Sequence, residues 1–166
     1  MASALLVALA VGGYRSARAE SPVGCLAGDW IAEAVAFVTE ETGVPPPDIC
    51  VRSANPAYLM RLVLPAALDS TNKEIVAAVY VPATHEILLA DVLDPGTPLA
   101  RSYLVHELVH AQQFAAHAHE RVSCPGVLEG DAYATQALYL RAKGLGDEAF
   151  LLQVLGMFQS ACGYSD

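Results

Sequence analysis

Basic residues are scarce in this chain and nowhere clustered: 9 Lys and Arg stand against 18 Asp and Glu, a formal charge of −9. Nucleic-acid surfaces need cations spaced along the phosphates, so phosphate-driven binding of DNA or RNA is excluded. No two of the four cysteines, Cys25, Cys50, Cys124 and Cys162, form a C-x-x-C pair, which removes zinc ribbons and thioredoxin-like redox centres. The apolar stretch over residues 1–11 is about half the length that a bilayer requires. The 12 Gly and 10 Pro are dispersed, so no low-complexity segment is present.

What is present fits one compact domain: 166 residues, 54% of them hydrophobic, are enough for a genuine core and too few for two. Residues 1–19, apolar at first and ending in Ala17-Arg18-Ala19, have the form of an export signal with a small-x-small cleavage site. Residues 20–166 are then the folded domain. All four cysteines follow the cleavage site, and two disulfides suit a secreted or periplasmic protein with no membrane span after cleavage. Of the three connectivities, Cys25 with Cys50 and Cys124 with Cys162 is favoured.

Periodicity gives the elements. Asp29 as N-cap, the spacing of Ile31, Ala34, Val35 and Val38, and a terminal Gly43 predict a helix from Trp30 to about Thr42. Ile49 to Val51 reads as a short strand, and Pro56 to Leu64 as a second helix. Two apolar runs, Ile75 to Val81 and Glu86 to Ala90, flank a turn at Pro82-Ala83-Thr84 and predict a hairpin. Thr97 as N-cap and Pro98 at the first helical position start a largely buried helix to about His117. Two more helices follow, Val127 to Lys143, and Glu148 to Ser160 capped by Asp147. The expected class is α+β: a mostly helical single domain with a small sheet or hairpin before the long buried helix.

That helix carries His106-Glu107-Leu108-Val109-His110, the spacing H-E-x-x-H. Four residues apart, the two imidazoles lie on one helical face a turn apart, close enough to share a metal ion, with Glu107 beside them as a base. A third protein ligand is needed. The extension H-E-x-x-H-x-x-G-x-x-H fails, because Gln113 and Ala116 stand where glycine and histidine belong. His117 and His119 are the fallback, since His117 in a continuous helix lies about 16 Å along the axis from His106. Glu129, on the next helix, is favoured over Asp131 because it shares a face with Tyr133 and Gln136.

With Glu129-Gly130-Asp131-Ala132-Tyr133 downstream, the motif resembles the gluzincin group of zinc metallopeptidases, in particular its small bacterial members of uncharacterised function, over roughly Ile75 to Leu140. The resemblance implies a zincin-like catalytic domain with Zn2+ on His106, His110 and Glu129, and Glu107 as general base. It also implies a peptide or protein substrate extended along the strand near Tyr80 or Ile87. It departs from the group at Tyr133, where better-known gluzincins carry an aspartate that braces a histidine; Gln113 or Gln136 is the replacement. In such an enzyme Tyr133, with Tyr164 behind it, is the candidate oxyanion donor. The expected function is a secreted zinc metallopeptidase hydrolysing peptide bonds with a Glu-activated, zinc-bound water. The alternatives are an inactive zincin-fold binding or structural protein, and a hydrolase of a non-peptide carbonyl.

Overall fold

The computed structural model describes residues 24–63 and 76–162. The export segment, Leu64, Ile75 and Tyr164 lie outside them. Among the described residues, five α-helices, α1 (Asp29–Thr42), α2 (Pro56–Val63), α3 (Pro98–Ala115), α4 (Gly126–Ala142) and α5 (Gly146–Ser160), accompany a sheet of β1 (Cys50–Ala54), β2 (Ala78–Val81) and β3 (Glu86–Ala90). The molecule is therefore α+β and mostly helical, with the expected hairpin formed by β2 and β3.

The hairpin is part of a larger sheet. β1 pairs parallel with the far side of β3, Val51 beside Ile87, giving the order β1-β3-β2. Ile87 therefore sits on the central strand, its neighbours on both sides taken, and is not on an edge as expected. The outer strand of the hairpin is β2.

Both faces of the sheet are covered. Val51, Ala78, Tyr80, Ile87 and Leu89 join Leu104, Leu108 and α1 in the main core, while Val79, Leu88 and Ala90 face Leu59 of α2. This explains why the strands read as continuous apolar runs and not as an alternation. Helix α3 lies against the main-core face and is buried at every position from Ser102 to Ala111.

Local signals set the start of α3 and the end of α1. Thr97 Oγ1 accepts the N–H of Ala100 at 3.2 Å, with Pro98 at the first helical position. Gly43, at φ 73°, closes α1 in the left-handed conformation that glycine tolerates best. Two expected caps differ. The N-cap of α1 is Gly28, where a Cβ would meet the Trp30 ring at 2.8 Å, and that of α5 is Leu145. Asp29 and Asp147 instead lie within the first turns, where their charges complement the helix dipole. Helix α3 ends at Ala115, ahead of His117, which takes a left-handed φ of 53°.

The disulfides are Cys25–Cys50 and Cys124–Cys162, which fits an oxidising, non-cytoplasmic compartment. Among the described residues, no helix is long and apolar enough to cross a membrane. Cys124–Cys162 joins the C-terminal end of α5 to the start of α4, and glycines let the two helices meet closely. A Cβ at Gly126 would overlap the carbonyl of Gln159, and one at Gly156 would lie 2.7 Å from Tyr133 Cβ.

Gly156→Ala should therefore destabilise the fold by about 1–3 kcal/mol through overpacking. Gly146→Ala, whose Cβ meets nothing within 4 Å, should be neutral or slightly stabilising. Urea denaturation of both variants checks this; equal midpoints would refute the close packing.

Candidate metal centre

Three functional side chains come from one buried helix and one from its antiparallel neighbour. On α3 the i, i+4 spacing stacks His106 and His110, with exposures of 0% and 1%. A loop containing the 3-10 turn Ala118–Glu120 reverses the chain, and the first turn of α4 presents Glu129, 6% exposed. His106 Nε2 and His110 Nε2 are 3.0 Å apart. Glu129 Oε2 is 3.3 Å from the first, and Oε1 is 3.5 Å from the second.

These separations suit a shared cation. A tetrahedral ion with ligand bonds of about 2.0–2.1 Å spaces its donors about 3.3 Å apart. Each imidazole Nδ1 faces a glutamine Oε1, which can only accept: His106 meets Gln136 at 3.0 Å and His110 meets Gln113 at 2.8 Å. The Nδ1 atoms therefore carry the protons, leaving two bare Nε2 lone pairs directed at one another and at a carboxylate. Glu129 Oε2, although near His106, makes no hydrogen bond. Among the described residues, His106, His110 and Glu129 are the group that could hold a metal ion.

Glu107, 2% exposed, turns towards the sheet. Ala90 N–H donates to Ala77 O at 2.8 Å, so three residues along the ladder Tyr80 and Ile87 form a non-hydrogen-bonded pair. The Tyr80 N–H thus faces away from β3, and it donates to Glu107 Oε2 at 2.7 Å. Glu107 Oε1 is buried without a hydrogen bond. Burial raises the Glu107 pKa above the usual carboxylate range, and the nearby imidazoles oppose this only in part.

Electrostatics bind the other members together. Burial alone would raise Glu129, but the adjacent His106 and His110 outweigh it and lower the pKa to about 2. Burial pulls His110 down, yet Glu129 and Glu107 raise it overall.

Other sequence candidates separate. His117, 69% exposed, pairs with Glu120 at 3.1 Å, and the His119 ring stacks on Phe114 at 4.3 Å; neither joins the centre. Asp131 is exposed. Tyr133 is fully buried with its ring edge-on to His106, centroids 4.6 Å apart. Both glutamines considered as braces are engaged, one on each histidine. Sequence reasoning missed Ser102, which bonds Gln136, and the Tyr80 amide on Glu107. The stripe Ser102, His106, His110, Gln113 along an otherwise apolar helix was the available signal for the first; a backbone donor leaves none.

No curated protein and no solved structure matches the chain. A family model described as a domain of unknown function, DUF6647, matches residues 19–166.

Metal uptake should depend on pH in a defined direction. A His110 pKa raised by folding contributes stability that is fully present below about pH 6.5 and is lost as pH rises through the raised value. Metal must displace that proton, so it binds more tightly as pH rises. Thermal unfolding with zinc or with chelator should show a larger zinc-induced shift at pH 8 than at pH 6. A shift no larger at pH 8 would count against His110 as a ligand.

Proposed function

The chain belongs to the DUF6647 family, whose function is unknown, and from its His/His/Glu group with an adjacent buried glutamate we propose that it is a secreted zinc-dependent peptidase of gluzincin type. The observation that carries this reading is the convergence of His106 Nε2, His110 Nε2 and the Glu129 carboxylate. Glu107 lies one residue along the same helix, with one oxygen unoccupied.

His106, His110 and Glu129 would hold the ion. Two neutral imidazoles and a carboxylate suit zinc, which, when bound, supplies a Lewis acid that acidifies water and polarises a carbonyl. Glu107 is the general base. Tyr80 N–H holds Oε2, which leaves Oε1 to take a proton from the attacking water. A carboxylate raised by burial both accepts that proton and returns it to the leaving amine. Tyr133 is the candidate donor to the oxyanion that develops on the carbonyl. The peptide would lie beside β2, the outer strand of the hairpin, past Tyr80, whose outward N–H is held by Glu107.

Zinc content, and cleavage of a broad peptide library by wild type and by Glu107→Ala, test the reading. Glu107→Ala should keep the metal and lose on the order of 10²–10⁴-fold in turnover. His110→Ala and Glu129→Ala should lose the metal. Zinc without Glu107-dependent cleavage would leave a metal-holding binding protein or a hydrolase of another bond, and no zinc would sink both. Tyr133→Phe should lower kcat by about 10²–10³-fold if its hydroxyl meets the oxyanion; unchanged kcat would reduce Tyr133 to a packing role.

A further inference from the structure

We infer that Gln113 and Gln136 are positioning residues forming a reciprocal, uncharged clamp, each fixing one ligand imidazole as its Nδ1–H tautomer while anchoring to a backbone carbonyl, directly or through a serine. The inference rests on the metal reading above for its consequence, but not for its geometry. A glutamine amide can be turned end for end without changing its shape, so its orientation must come from its partners. Here both ends are decided.

Ser102 Oγ donates its only hydrogen to Leu99 O at 2.7 Å. Towards Gln136 it can therefore only accept, and it takes the Nε2 hydrogen at 3.0 Å. That turns Gln136 Oε1 to His106 Nδ1, which must donate. The second chain is shorter. The Leu128 carbonyl can only accept, it receives Gln113 Nε2 at 3.0 Å, and Gln113 Oε1 is left for His110 Nδ1.

The two arms cross between helices in opposite senses. Gln136, from α4, reaches His106 and Ser102 on α3. Gln113, from α3, holds His110 and the carbonyl of Leu128, the residue immediately before Glu129 on α4. One amide thus couples the second histidine to the third ligand. All these side chains are 9% exposed or less, so the network is shielded from competing water.

The absence of charge has its own reason. Glu107 and Glu129 already place two carboxylates in the site, which a divalent ion would balance, and a carboxylate brace would leave a buried anion uncompensated. Amide partners orient the rings without adding charge. They also withdraw less proton density from the imidazoles than carboxylates do, so the ligands stay less basic.

Ring 15N shifts of the metal-free full chain above the histidine titration range, together with zinc affinity by chelator competition, provide the test. Wild type should show Nδ1–H at both His106 and His110. Gln136→Leu should disturb the His106 tautomer alone and Gln113→Leu that of His110 alone, each weakening zinc by about 10–100-fold. Gln136→Glu, which keeps an acceptor for Nδ1–H, should retain the wild-type tautomer. Nε2–H at either ring in wild type overturns the clamp without any variant, as would leucine variants with unchanged shifts and affinity. Wild type with both Nδ1–H tautomers but no zinc uptake would support the clamp and sink the peptidase reading.

Discussion

A carboxylate is tolerated in a protein core only beside groups that compensate its lost hydration, and Glu129 has its two oxygens 3.3 and 3.5 Å from two buried imidazoles. This meeting fixes the rotation of α4 about its own axis and its height along α3, since sliding either helix by a turn would strand charge in the interior. The rest of the fold can be understood as holding those two helices in register. α3 is buried from Ser102 to Ala111, with the sheet, α1 and α4 packed around it.

Two kinds of support secure the pair. On one side α1 bridges them: Glu33 accepts from Arg101 of α3 at 2.8 Å, pairs with Lys143 just past α4, and takes the Tyr139 hydroxyl at 3.4 Å. The neighbouring Lys143 holds the Glu33 carboxyl below its usual range, against a small opposing effect of burial. Partial exposure makes these surface pairs modest in energy, but the edge-on packing of Phe37 against Tyr139 lies just beneath them. On the other side α5 presses Gly156 onto Tyr133, whose ring backs His106. The position that a short acidic brace would occupy is therefore filled by an aromatic ring, and the bracing passes to Gln136 one turn further along α4.

Much of this was readable from the chain because the informative features were local. The i, i+4 histidines, Thr97-Pro98 and the alternation of helix and turn signals each act over a few residues, and they define α3 and α4 closely. Glu129 was singled out over Asp131 by facial periodicity alone, and the exposure of Asp131 agrees. What escaped was non-local. The parallel pairing of β1 with β3 displaced Ile87 from the expected edge, and no pattern within β3 distinguishes a strand with one partner from a strand with two. The Tyr80 amide on Glu107 is a backbone group whose direction depends on the register of the hairpin. Asp29 and Asp147 have cap chemistry but entered the helices, because Gly28 and Leu145 took the flanking conformations.

Charge balance ties the site to the stability of the fold. Within the shielded cluster Glu107 and Glu129 bring two carboxylates, and the amide braces add no charge. A divalent ion would offset that charge and also satisfy the lone pairs that converge on it. The metal-free protein is then a compromise, with one carboxylate pushed towards its neutral form by burial and the other held low by the two adjacent imidazoles. On the zinc reading, the same two groups become base and ligand when the ion arrives, so binding energy from the metal serves both as folding energy and as the means of separating the roles of two carboxylates that the apolar core alone would push together.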